Sequence, residues 1–292
     1  MSETRPTAIV VDSTKYLPQE LLASEGIGVV SLYVTLEGHQ QREVDIPDYG
    51  EFYDRLKAAS EGATTSQPSV GDFLEVWLPR LEAGREVVSI HLSSLISGTH
   101  ETAITAREQL LEEGRGGDRV HLVDSRASAG ADGLCTLAAI AAAKRGEPAA
   151  DVAEAYAAAR ATQGNRLAVD TLEYLRRGGR IGGAQALLGT ALRIKPILSF
   201  EDEVVAVDKV RTRSRALQYL RDYATEQAAL GPRAWCVQHT ADRASAHALA
   251  GDCREIMGSE PAFVTEIGPV LGSHSGPGVI AFGSIAASTL EG

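Results

Sequence analysis

The sequence predicts an α/β protein in two parts, a parallel α/β/α unit over residues 1–165 and a mixed-sheet α+β unit over 166–292. Three observations carry that expectation. Before Asp170, short β-type runs alternate with helical patterns of ten or more residues, the signature of a parallel sheet covered by helices. After Asp170 the pattern changes: two strand-like runs meet across Glu201-Asp202, which reads as a hairpin and so as antiparallel pairing. Between the two lies Asp170–Phe200, where arginines and paired glycines interrupt both patterns. A boundary near residues 163–168 follows.

Taken in order, Thr7–Val11 is a first strand ending in Asp12-Ser13-Thr14, and Pro18–Ser24 a short helix. Val29–Leu36 reads as one strand, Pro47–Ala59 as a helix and Gly62–Val70 as a polar loop. Gly71–Ala83 has an apolar stripe at Phe73, Val76, Trp77 and Leu81, spaced for a helix. Strands at Val87–Leu92 and Arg119–Val123 flank a helix at Thr99–Glu113; alanine-rich helices follow at Ala131–Arg145 and Asp151–Thr162. Ala184–Arg193 reads as a helix stopped by Lys195-Pro196, because proline disfavours α geometry in the residue before it. Strands at Ile194–Phe200, Glu203–Val210, Ala234–His239, Ala262–Ile267 and Val279–Phe282 complete the second part, with helices at Arg213–Leu230 and Arg243–Met257.

Composition narrows the function. A net charge of −11 argues against general binding to nucleic acid or an anionic membrane. No apolar run approaches the ~20 residues of a membrane helix, and the N-terminus lacks a secretory pattern. Three widely spaced cysteines suit a reduced, cytoplasmic protein without a disulfide framework. There is no GxxxxGK[ST] and no GxGxxG after the first strand, so no nucleotide fingerprint. A GxSxG elbow, a complete HExxH and zinc spacing are also missing, so no metal ligand and no cofactor is expected.

What remains is hydroxyl chemistry at strand ends. Ser69 with Asp72 resembles a capping box, yet Thr64–Ser69 offers four hydroxyls where a cap needs one. Ser93-Ser94-Leu95-Ile96-Ser97-Gly98-Thr99 repeats the arrangement. Hydroxyls and free amides at a helix start suit an oxyanion, phosphate or carboxylate alike. Gly268–Gly278 reads as a glycine-rich loop whose His274 could donate to an anion, act as a base or form an adduct. The arginines 176, 177 and 180 form a tight cationic turn with the paired glycines.

In order and spacing, DST, TSQPS, LSSLISGT, VDSR, LEYLRRGGRI, KPIL, KVRTRSRA and GPVLGSHSGPG resemble the DegV family, the bacterial fatty-acid-binding proteins that serve fatty acid kinase. The resemblance implies the same two-part fold and a carrier without a catalytic residue. It implies a long-chain fatty acid whose carboxylate lies at the domain junction, its tail in an apolar cavity of a lipid-binding C-terminal part. The head group would be held by Thr65 and Ser94, with Ser93 as the second choice of serine, beside His274, Ser273, Gly272 and Arg176. Lys209, Arg211 and Arg213 would face a partner kinase that phosphorylates the carboxylate to an acyl phosphate for phospholipid synthesis. A transient membrane or acyltransferase encounter would follow. Ile96 and Ser275 depart from the residues common in the family without disturbing the pattern. The alternative is a subunit or enzyme acting on a small carbonyl or phosphorylated compound through His274, as in the distantly related substrate subunit of dihydroxyacetone kinase. A scaffolding role rests on the basic joint alone.

Overall fold

The computed structural model describes residues 6–187 and 194–291. The first part runs β1 (Thr7–Asp12), α1 (Gln19–Ser24), β2 (Gly28–Val30), β3 (Tyr33–Leu36), β4 (His39–Arg42), α2 (Tyr49–Ala58), β5 (Thr64–Ser66), α3 (Val70–Glu82), β6 (Glu86–His91), α4 (Thr99–Glu112), β7 (Val120–Asp124), α5 (Ala129–Lys144) and α6 (Ala149–Ala161). The second runs β8 (Gly164–Ala168), α7 (Glu173–Arg177), β9 (Lys195–Phe200), β10 (Val204–Val210), α8 (Arg213–Ala228), β11 (Arg233–His239), α9 (Arg243–Met257), β12 (Phe263–Glu266), α10 (Pro269–Ser275) and β13 (Ile280–Ala286).

The first sheet is parallel, in the order β2-β1-β6-β7. The second is mixed, in the order β10-β9-β8-β13-β11-β12, with the β9–β10 hairpin at its edge. The layers follow from which faces are apolar. Helices α3 and α4 cover the outer face of the first sheet, and α8 and α9 cover the outer face of the second. Between the sheets lie α5 and α6, and α5 touches β1 on one side and β11 and β13 on the other. The sequence of α5, AGADGLCTLAAIAAAK, is small and apolar around most of its circumference, which is what a helix buried on all sides requires. Its glycines set the spacing: a Cβ at Gly130 would lie 2.7 Å from Gln238 Cδ, and one at Gly133 3.1 Å from the Lys15 carbonyl oxygen.

Four expectations change. The single strand over Val29–Leu36 is two, because Ser31 and Leu32 hydrogen-bond to Ser13 and to the turn at Glu43-Val44 instead of to a neighbouring strand. Ser31 Oγ accepts from the Val44 N–H, and Ser13 Oγ accepts from that of Leu32. The chain then turns into a small antiparallel sheet, β4-β3-β5, and Thr64–Ser66, read as loop, is its third strand. Gly268–Gly278 is largely helix, not loop: Gly268 is the N-cap of α10 and Pro269 occupies the first turn, where its missing N–H costs nothing. Gly272 sits inside that helix because Tyr53 presses on it; a Cβ there would lie 2.0 Å from the Tyr53 hydroxyl. The helix expected over Ala184–Arg193 falls largely on 188–193, outside the described residues, and Gly182–Leu187 before it is a 3₁₀ turn.

Candidate functional site

Because the first sheet is parallel, Asp12, Ser93 and Asp124 do reach one edge. Most of that edge is committed to itself. Asp12 Oδ1 accepts from the Thr14 N–H at 2.9 Å, and Oδ2 from the Leu92 N–H at 2.7 Å and from Lys15 Nζ at 3.3 Å. Lys15 also reaches Asp132 Oδ2 at 2.7 Å, and Tyr156 donates to Asp132 Oδ1 at 2.8 Å. Asp12, Lys15 and Asp132 are all within 1 % of fully buried. Burial works to raise the Asp12 carboxyl, and the Lys15 ammonium with its neighbouring donors outweighs it and holds it well below the usual range. For Lys15 the two carboxylates likewise overcome burial and raise the ammonium. Nothing in the sequence reading singled out this lysine.

A second buried carboxylate lies across the joint between the two parts. Glu43 Oε1 accepts from the Val270 N–H at 2.7 Å and from Tyr16 Oη at 2.9 Å, and Ser13 donates to Oε2. It thus binds the start of α10, where the helix dipole favours negative charge. Tyr53 Oη donates to the Ile267 carbonyl at 2.6 Å, fixing the approach to the same helix.

The far end of α10 carries His274, and there the polar groups are not committed. His274 Nε2 lies 2.8 Å from Thr65 Oγ1, which β5 brings from the small sheet. Burial, then the positive charge of Arg180, lowers the imidazole to about 4, so it is neutral at neutral pH. Its Nδ1 has no hydrogen-bond partner among the described residues and lies against Gly178, where a Cβ would come within 2.1 Å of it. Arg180 lies beside this pair, donating to the carbonyls of Ile96 at 3.2 Å and Gly178 at 2.8 Å.

Thr65, Ser97, Arg180 and His274 line a cavity of about 150 Å³, some ten times the ~10–15 Å³ that one water needs. Its walls are mainly apolar: Leu92, Ile96, Leu175, Phe200, Val204, Ile267, Leu271 and Val279. It runs between α10 and α7 on one side and, beyond, the start of α5 and the inner face of the second sheet at Cys236, Gln238, Ala281 and Gly283. Its polar atoms can hold an anion at one end, and its walls can hold a hydrocarbon along the rest.

The expected site residues therefore divide. Thr65 and His274 meet at the cavity. Ser94 does not reach it; its hydroxyl donates to Asp124 Oδ2 at 2.6 Å and lines an outer cleft instead. Ser93 is buried and donates to the Asp202 carbonyl. Ser273 donates to the Pro269 carbonyl inside α10, and Gly272 faces Tyr53. Arg176 is exposed and paired with Glu173, whereas Arg180, in the same basic run, lines both cavity and cleft. Ser97, in the same Ser93–Thr99 segment, lines the cavity instead, its Oγ 2.9 Å from Thr99 Oγ1. Lys209 and Arg211 are exposed, while Arg213 is bound to Asp242 and to the Gly278 carbonyl and so braces the chain after α10. Among the described residues no cluster of His, Cys, Asp or Glu could hold a metal ion, and no helix is long and apolar enough to cross a membrane. The three cysteines are free and buried.

Comparison with known proteins agrees with the arrangement of the chain. A DegV domain-containing protein of Streptomyces coelicolor is 38% identical over 283 residues, which cover 95% of this chain and 97% of that one. A solved DegV family protein from Thermus thermophilus, described as binding fatty acid, superposes with a TM-score of 0.88 at 34% identity, covering 97% of this chain and 99% of its own. DegV of Bacillus subtilis, described as a fatty acid binding protein, gives 0.85 at 30% identity, covering 97% and 99%. The family model described as "Uncharacterised protein, DegV family" matches residues 6–287, and the chain belongs to the DegV family.

Proposed function

We propose that this protein is a fatty-acid carrier: it holds a long-chain fatty acid with the carboxylate at Thr65 and His274 and the tail in the apolar cavity. The observation that carries the reading is the distribution of polarity in that cavity, with spare hydrogen-bonding capacity at Thr65–His274 and hydrocarbon walls beyond. Each buried CH₂ of a tail contributes about 0.8 kcal/mol, so the cavity can supply most of the affinity. Relatives described as binding fatty acids support the same reading.

The head-group chemistry follows from the neutral imidazole. With the proton on Nε2, His274 donates to Thr65 Oγ1 and leaves the threonine O–H free to donate to the ligand. With the proton on Nδ1, the threonine hydroxyl is spent on the imidazole. A bound carboxylate selects the first tautomer, so His274 is a positioning residue for Thr65. Ser97 and Arg180 replace Ser94 and Arg176 as its neighbours in this reading. A hydroxyl holds a carboxylate without the bidentate clamp of an arginine, which keeps an oxygen available as a nucleophile. In this reading a separate ATP-dependent kinase, docking near the exposed Lys209 and Arg211, phosphorylates the carboxylate to an acyl phosphate in the cytoplasm, upstream of phospholipid synthesis.

Native mass spectrometry of the purified protein, followed by solvent extraction, tests the binding step. A stoichiometric fatty acid is the expected result. An empty protein that also fails to take up added fatty acid, or a small polar adduct on His274, would sink it. Incubation of the loaded protein with kinase and ATP, read as acyl phosphate, tests the second step.

A further inference from the structure

One hydrogen-bonded pair of side chains stands between the cavity and a second pocket. Gln238 on β11 lines the cavity, is 1 % exposed, and fills the gap between the second sheet and α5. The fit is close: a Cβ at Gly130 of α5 would lie 2.7 Å from Gln238 Cδ and 2.8 Å from Oε1. Gln238 Nε2 donates at 2.9 Å to Oγ1 of Thr265, its neighbour in register on β12. Thr265 lines a second pocket, whose other walls include Leu17, Leu22, Val29 and Val44 and also Lys15 and Glu266. The partition between an apolar cavity and a largely apolar pocket is thus one hydrogen-bonded pair thick. Gln238 Oε1 has no hydrogen-bond partner among the described residues. An amide with an unpaired oxygen is a poor neighbour for a methyl group, since the apolar end displaces nothing and satisfies nothing.

We infer that Gln238, held by Thr265, is the chain-length gauge of this protein: it stops the ligand's terminal methyl and keeps the cavity separate from the pocket beyond. This rests on the fatty-acid reading above and adds to it the residue that sets which acids are taken. While a tail is growing along the hydrocarbon walls, affinity rises about fourfold per added CH₂. On reaching Gln238 the rise ends, because a further methylene must displace the amide or fold back on the chain. Truncating the side chain opens the way to Thr265 and the second pocket, and the rise continues.

The test is a titration of wild type, Gln238→Ala and Gln238→Leu with straight-chain saturated acids of increasing length. Wild type is expected to reach its tightest binding at one length. Gln238→Ala moves that optimum to acids at least two carbons longer, and Gln238→Leu, which keeps the bulk, leaves it where it was. An unchanged optimum in Gln238→Ala overturns the inference, as does an equal change of affinity at every length. If thermal melting shows that Gln238→Ala does not fold, Gln238→Ser carries the same expectation and the same refutation. Wild type that binds no acid of any length refutes the fatty-acid reading itself, and the gauge with it.

Discussion

The Asp12–Lys15–Asp132 cluster and the Thr65–His274–Arg180 cluster are built from similar residue types at strand and helix ends, and they do opposite things. In the first, all four carboxylate oxygens accept a hydrogen bond and a buried ammonium answers the charge. In the second, among the described residues, Nδ1 of the histidine is unpaired, the threonine proton is free in one imidazole tautomer, and the arginine side chain donates to two carbonyls. A fully satisfied polar cluster holds layers together and has nothing left for a ligand. Unused hydrogen-bonding capacity beside an apolar cavity marks the place where one can bind. Residue identity separates the two poorly, and partner bookkeeping separates them well.

The contrast can be broken hardest at Lys15. Lys15→Met leaves two buried carboxylates without their cation, and we expect a loss of about 3–5 kcal/mol in urea unfolding at neutral pH. A loss below about 1 kcal/mol would mean that the cluster is not the brace described.

Glu43 sharpens the point, since it is as buried as Asp12 but has no cation beside it among the described residues. Burial pushes its carboxyl up from 4.5 to about 7, against the pull of its donors. A carboxyl raised in the folded state contributes stability that is complete below its unfolded value, and this is lost as pH rises through the folded one. Stability should therefore fall by about 2–3 kcal/mol between pH 4.5 and 7, and Glu43→Gln should flatten that fall. An identical pH profile in the variant would exclude Glu43 as its source.

At the cavity, Thr65→Val should weaken acyl binding roughly 10- to 100-fold, the worth of a hydrogen bond to a charged group. Ser94→Ala should change it less than about twofold, because that hydroxyl belongs to Asp124 and the net hydrogen-bond contribution there is local. Calorimetric titration with the extracted acid checks both, and the reverse order would restore Ser94 to the head group. The smallest effect separates the arginines: Arg180→Ala should weaken binding several-fold at low salt and less at high salt, whereas Arg176→Ala should leave it unchanged.

Short-range features of this architecture were readable and long-range ones were not. Strand–helix alternation, the hairpin at Glu201-Asp202 and the Ser69–Asp72 capping box depend on neighbours in the chain, and all are present. Thr65 stood out because its segment carries more hydroxyls than a cap can use. Ser94 stood out for the same reason, and its partner Asp124, thirty residues on, removed it. Lys15 looks like any surface lysine after a strand; only Asp132, 117 residues away, makes it a core residue. The glycines of α10 were read as loop because glycine serves both turns and close approaches, and the approach of Tyr53 comes from the other end of the chain.

That last distance has a consequence for synthesis. Thr65 and His274 are 209 residues apart, and Glu43 and Val270, which seat the same helix, 227. The pieces of the mouth therefore exist on the ribosome long before the mouth does. α10 comes after β1 to β12 and α1 to α9 in the chain, so all of these are made before Thr65 and His274 can meet. A chain truncated before Pro269 loses α10 and also β13, the strand that joins β8 to β11, and should retain no fatty acid.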